Sequence, residues 1–283
     1  MNLRFGIILS VVFYFIAGPV MAQCEASYSA LVFSDRSHHI LFERRADEVI
    51  YPASLTKVMT AYLVFEALEG GHLDLDQKIR ISANAQDVGN VNKINTLHLL
   101  EGAQITVENA LKGMLVKSFN ESSVALAEAI AGDEWHFAQM MNEKAVELKM
   151  NHTNFRNASG LHEDGHYTTN YDLARLVSAL EKNFPQYRKY FSLKEFHYNG
   201  MKFQNTNHIL VEYKGADGLK TGFTNAAGFN LIASAKRDGA RVNAILTGCE
   251  SYQKRDGFMK ILLDDGFKEI ERKDSEAIVV LKL

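Results

Sequence analysis

The sequence predicts an α+β fold in which strands from both ends of the chain share an antiparallel sheet and a mainly helical region sits beside it. Three observations carry this reading. They are β-branched and apolar runs between residues 28 and 44, a helical apolar period through the middle, and further strand-like runs from residue 217 onward.

Residues 28–33 and 40–44 flank the polar Ser34-Asp35-Arg36-Ser37, a hairpin signal. From Ala53 the period changes. Leu55, Val58, Met59, Tyr62 and Leu63 fall at i, i+3, i+4, i+7 and i+8, which predicts a central helix apolar on one face. Further helices are expected at about 107–117, 122–131, 134–150 and 171–183. Strand character returns at 217–224, 229–235 and 241–247, and Lys236-Arg237-Asp238-Gly239 joins the last two through an Asp-Gly turn. Ser251 caps a final helix that carries Phe258, Ile261, Leu262 and Phe267. Beyond it, 277–283 is read as a short strand laid on the domain rather than a membrane helix.

The 283 residues carry a formal charge of −3 with 23% charged and 47% hydrophobic residues, so no basic excess attracts nucleic acid. Only three prolines occur, and no repeat or low-complexity tract divides the chain. Residues 23–272 are therefore expected as one domain, with 1–22 as a signal peptide and 273–283 as a tail. Met1-Asn2-Leu3-Arg4, an apolar run from Phe5 to Ile16, and Val20-Met21-Ala22 form the signal pattern, with cleavage after Ala22. Gly18-Pro19 interrupts the helix that an uncleaved anchor needs, and Gln23 replaces the small residue expected before a lipidated cysteine. Cys24 and Cys249 are the chain's two cysteines, and the sequence leaves their pairing open.

Three short motifs bear chemistry. Ser54-Leu55-Thr56-Lys57 opens the central helix, where one turn puts Ser54 and Lys57 on the same face. A serine hydroxyl becomes a nucleophile when a neighbouring base takes its proton, and a desolvated, neutral lysine is such a base. Ser118-Phe119-Asn120 lies at a helix junction, where a hydroxyl and an amide are placed to relay a proton and hold a substrate amide. Lys220-Thr221-Gly222 lies in a strand, where glycine admits close backbone approach and Lys220 with Thr221 suits a carboxylate. Each motif alone reads more readily as a cap or a solvated charge. Their order, each on the element its role demands, is what carries weight.

With these motifs the chain resembles the D-alanyl-D-alanine carboxypeptidases, the low-molecular-mass penicillin-binding serine peptidases, over about residues 28–267. The stretches Pro52-Ala53-Ser54-Leu55-Thr56-Lys57-Val58-Met59-Thr60-Ala61-Tyr62, Ser159-Gly160-Leu161 with Asp164-Gly165-His166-Tyr167, and Gly218-Leu219-Lys220-Thr221-Gly222 are similar to that family. The resemblance implies the β-lactamase/DD-peptidase-like fold, an antiparallel sheet flanked by helices. It implies an acyl-enzyme on Ser54, with Lys57 as base, Ser118 as proton relay and Asn120 orienting substrate. Lys220 and Thr221 would hold the terminal carboxylate, and the backbone N–H groups of Ser54 and Phe223, beside Gly222, would form the oxyanion site. The implied partners are stem peptides ending in D-Ala-D-Ala and β-lactams as covalent inhibitors, with no cofactor, in the periplasm or cell envelope. Phe119 departs from the small residue usual at its position and bears on the cleft wall. No C-terminal membrane anchor is evident. Asn205-Thr206-Asn207-His208 and the run from Lys220 to Gly228 also resemble the shorter endopeptidases of the family.

The sharpest rival is His162-Glu163-Asp164-Gly165-His166, which matches a zinc-peptidase pattern. That pattern needs a helix, whereas Ser159-Gly160, Asp164-Gly165 and Tyr167-Thr168-Thr169 predict a turn. A non-catalytic wall-binding protein conflicts with the intact motifs. A class A β-lactamase needs a Glu-x-x-Leu-Asn segment, which is absent downstream of Asn120.

Overall fold

The computed structural model describes residues 24, 27–34, 39–91 and 96–280; the expected signal peptide and residues 35–37 of the first turn lie outside them. The chain opens with β1 (Ser29–Ser34) and β2 (Ile40–Arg44), the expected antiparallel pair. A 3₁₀ turn (Ala53–Thr56) runs directly into α1 (Lys57–Glu69). The strands β3 (Lys78–Arg80) and β4 (Gln104–Thr106) pair around α2 (Ala83–Asn90). Next come α3 (Val107–Val116), α4 (Asn120–Ala131), α5 (Glu134–Glu147) and α6 (Asn170–Asn183). A ribbon of β5 (Glu195–Tyr198) and β6 (Met201–Gln204) and a single turn, α7 (Ile209–Glu212), lead back to the sheet. There β7 (Ala216–Thr224), β8 (Gly228–Arg237) and β9 (Ala240–Cys249) complete a five-stranded antiparallel sheet in the order β2-β1-β9-β8-β7. The helix α8 (Tyr252–Val280) ends the described chain.

Local chemistry accounts for these turns. Asp238 and Gly239 both take positive φ, 47° and 79°, as a type I′ hairpin requires. Ser251 Oγ accepts from Lys254 N at 3.2 Å, capping α8 as expected. The period-two alternation of the strands then sorts the sheet's faces. Leu31, Phe33, Ile232 and Ile245 join the core shared with the helical region, while Ala30, Val32, Leu231 and Leu246 pack against Phe258, Met259 and Leu262 of α8. α8 lies so close that a Cβ on Gly266 would stand 2.7 Å from Val242 Cγ1. Each large side chain buried this way contributes about 1.5–3 kcal/mol.

Three expectations are corrected. α1 is not apolar on one face but buried all round from Lys57 to Phe65, because α3, α4, α5, α6 and β7 all pack against it. Its helix ring is the axis of the core, so every polar group on it must find a partner inside. α4 starts at Asn120 rather than 122, since Phe119 takes the extended N-cap conformation. The segment expected as a terminal strand continues α8 to Val280, as no glycine or proline after Gly266 stops it. The two short ribbons escape sequence reading, since three- and four-residue strands carry no measurable period. The open question of the cysteines is resolved: Cys24 and Cys249 form a disulfide with Cα atoms 5.1 Å apart, joining residue 24 to the end of β9.

Candidate active site

Ser54 occupies the 3₁₀ turn ahead of α1, and in that tighter helix side chains three apart eclipse. Lys57 Nζ accordingly reaches Ser54 Oγ at 2.9 Å. It also donates to Asn120 Oδ1 at 2.8 Å and to the Ser159 carbonyl at 2.6 Å. Lys57 has no solvent exposure. Burial, followed by the positive charge of Lys220, holds its amine well below the usual lysine range, which favours the neutral form a base needs.

The Ser159 carbonyl is held by a loop stitched to α1. Asn157 Oδ1 accepts from Gly160 N at 2.7 Å, Thr60 Oγ1 donates to Ala158 O at 2.7 Å, and His166 Nε2 pairs with Thr56 Oγ1 at 2.9 Å. Gly160 is required there: at φ 78°, a Cβ would stand 1.9 Å from Ala53 O. This is the segment that carries the zinc-like pattern. It has no helix, His162 packs edge-on to Tyr51 with ring centroids 4.9 Å apart, and burial pushes His166 down to about 4. Among the described residues no cluster of three or more potential metal-ligating side chains is gathered.

On the opposite wall Ser118 sits at φ 67° with its Oγ buried and without a hydrogen-bond partner. Phe119 does not shape the cleft. Its ring is 1% exposed, packs edge-on to Phe203 at 5.1 Å, and lies where a Cβ on Gly113 would come within 2.8 Å of it. A small residue one turn back on α3 makes room for the large one.

The third wall is β7. Gly222 crosses the turn that holds Ser54, with space for no Cβ: one there would lie 2.9 Å from Pro52 O and 3.1 Å from Ser54 N. Phe223, half exposed, follows it. Thr221 Oγ1 pairs with Thr206 Oγ1 at 2.7 Å. Lys220 stands behind this wall rather than on it, 1% exposed, with Nζ donating to Thr221 O at 3.0 Å. Burial, and then the Arg255 guanidinium, push it down to about 7.

Together these walls enclose a cleft of about 990 Å³ on which Ser54, Ser118, Thr221, Gly222 and Phe223 open. All three motifs thus converge, while Lys57, Asn120 and Lys220 lie beneath the surface. Sequence reasoning quoted Ser159 and Thr206 within family-like stretches without giving either a role, and it missed Arg255. A backbone acceptor leaves no residue signature, and Arg255 reaches the cleft from α8 only because the Ser251 cap fixes where that helix begins.

A family model described as D-alanyl-D-alanine carboxypeptidase matches residues 19–251. The D-alanyl-D-alanine carboxypeptidase DacF of Bacillus subtilis is 36% identical over 252 residues, covering 87% of this chain and 63% of that protein. The chain therefore spans just under two thirds of DacF's length. Penicillin-binding protein 5 from Haemophilus influenzae superposes with a TM-score of 0.82 at 31% identity, covering 90% of this chain and 73% of that one. Penicillin-binding protein D2 from Listeria monocytogenes, solved in its ampicillin-bound form, gives 0.76 at 33% identity over 84% of this chain and 96% of that one.

Proposed function

Because the chain belongs to the D-alanyl-D-alanine carboxypeptidase family, we propose that it is a serine peptidase releasing the terminal D-alanine of peptidoglycan stem peptides through an acyl-enzyme on Ser54. The observation that carries this reading is the 2.9 Å contact between Ser54 Oγ and a fully buried Lys57 amine.

The neutral amine of Lys57 takes the Ser54 proton as Oγ attacks the carbonyl of the penultimate D-alanine. Negative charge developing on that oxygen is met by the N–H groups of Ser54 and Phe223, a reading supported by the close approach of Gly222, the residue before Phe223, to Ser54 N. Asn120, fixed through its Oδ1 by Lys57, keeps its amide NH₂ for the substrate backbone. The unpartnered Ser118 hydroxyl passes a proton to the departing amine, the C–N bond breaks, and water later hydrolyses the ester. Thr221 and Arg255 meet the substrate carboxylate in the cleft, and Lys220 stands behind the wall, adding positive charge while its amine, pushed down to about 7, is protonated. A β-lactam enters the same path, because its amide imitates the scissile bond, and leaves a slowly hydrolysed ester. The reading includes export by the 1–22 segment to the cell envelope and a catalytic unit spanning 23–272.

Mass spectrometry of the purified protein after benzylpenicillin treatment tests it. The expected result is one covalent adduct on the peptide containing Ser54, absent in Ser54→Ala, together with D-alanine release from a D-Ala-D-Ala pentapeptide. An unmodified protein overturns the proposal.

A further inference from the structure

Asn230 is fully buried on β8, on the sheet face where Ile232, two residues on, joins the core shared with the helical region. A buried amide is costly unless its groups are bonded, and this one is bonded at both ends. Its Oδ1 accepts from Gly248 N at 2.9 Å, opposite the register shift between β8 and β9. Its Nδ2 donates to Tyr51 O at 3.0 Å and to Pro52 O at 3.3 Å.

Those two carbonyls stand three and two residues before Ser54. Pro52 O also closes the turn that holds Ser54, accepting from Leu55 N at 3.2 Å. It is the same oxygen that a Cβ on Gly222 would meet at 2.9 Å, and Gly222 is the residue of β7 paired in register with Asn230. From adjacent strands, then, one residue grips the Pro52 carbonyl and the other leaves the space that admits it. Asn230 itself does not line the cleft.

We infer that Asn230 is a positioning residue for acylation: by drawing the Pro52 carbonyl onto the sheet, it sets the height of the Ser54 turn over β7. The inference rests on the serine-peptidase reading and names the side chain behind its geometry. Without the Nδ2 donor, two carbonyls lose their partner and the turn is free to lift from the strand, which takes the Ser54 N–H and Oγ out of line with the scissile carbonyl. Thr221 and Arg255 stay where they are, so the loss falls on the covalent step and not on binding.

The test follows acylation of the purified protein by benzylpenicillin in quenched flow, with mass spectrometry separating the limiting acylation rate from the constant for initial binding. Both are properties of the folded molecules, so a variant of lowered stability still reports. Asn230→Leu, which keeps a branched side chain and loses the donor, should slow the limiting rate about a hundredfold and leave the binding constant within about threefold. Asn230→Asp keeps the acceptor for Gly248 N and regains an O–H donor only when protonated. The charged group in contact with this position is Arg255, 3.5 Å from the main-chain oxygen of Asn230 through an NH₂ group. Taken relative to wild type at the same pH, the limiting rate of Asn230→Asp should rise as pH falls from 9 to 5, while that of Asn230→Leu stays flat. Where Asn230→Leu fails to fold, the Asn230→Asp series decides. A limiting rate for Asn230→Leu within threefold of wild type, a loss confined to binding, or an Asn230→Asp ratio that does not change with pH overturns the inference. Labelling of wild-type Ser54 separates the two levels: labelling together with any of these outcomes removes the role of Asn230 alone, and no labelling removes the serine-peptidase reading itself.

Discussion

Gly222 and Ser54 meet backbone to backbone, with a Cβ at Gly222 left 3.1 Å from Ser54 N and 2.9 Å from Pro52 O. Neither neighbour is the flexible end of a side chain, so Gly222→Ala must move β7 outward. On the proposed mechanism, that shift carries the Phe223 N–H, next along the strand, away from the oxyanion site. The expected result is about a hundredfold slower acylation by benzylpenicillin, the usual effect of an ångström-scale misplacement, with the far-ultraviolet circular dichroism unchanged. A rate within threefold of wild type would show that the crossing is not needed.

With Lys57 as the proposed base, the reaction is pH-dependent in a defined direction. Its amine must be neutral to accept a proton, and burial lowers its pKa well below the ordinary 10.5. The acylation rate should therefore rise with pH on a limb lying well below 10.5. Lys57→Met should lose about 10²–10⁴-fold and keep no such limb, while a strong chelator leaves the wild type untouched. A limb that survives in Lys57→Met would assign the base to another group.

Lys220 links pH to stability. Its folded pKa of about 7 lies below its unfolded value of 10.5, so between these values the unfolded chain binds more protons and stability rises with pH. Above about 10 the raised tyrosines, Tyr190 and Tyr213 among them, work the other way. Urea midpoints should thus climb from pH 7 to 9, and the climb should be shallower in Lys220→Met. Parallel profiles for the two proteins would refute the assignment.

Phe119→Gly should behave as a core mutation. The ring fills space between Gly113 and Phe203, so its removal should cost about 3–5 kcal/mol of stability, read from denaturant unfolding. Relative rates for different β-lactams should stay as they are. A changed β-lactam order with unchanged stability would return Phe119 to the cleft wall.

What the sequence disclosed follows the range of each signal. Periods and turns gave the sheet hairpins and the helices to within a few residues, and the three motifs lie on one cleft as their resemblance implies. Depth was the hidden coordinate. A lysine on a strand reads the same whether it faces solvent or, as Lys220 does, stands behind the wall, and α1 looked one-sided because Thr56, Lys57 and Thr60 are polar although buried. Arg255 was illegible for a related reason, and His208 stood in a family-like stretch without a role. Their meeting through Asp256 joins residues 48 positions apart, and no local pattern records it.

The bond between Cys24 and Cys249 ties the first described residue to a strand end 225 positions later. With two cysteines in the chain, only one intramolecular pairing exists. Maturation in an oxidising compartment therefore calls for an electron acceptor but no disulfide isomerase, since there is no wrong partner to correct. Once closed, the bond makes nearly the whole catalytic unit a covalent ring. A protease that cuts any single loop inside it opens the ring without releasing a fragment, and both pieces still travel together until a reductant separates them.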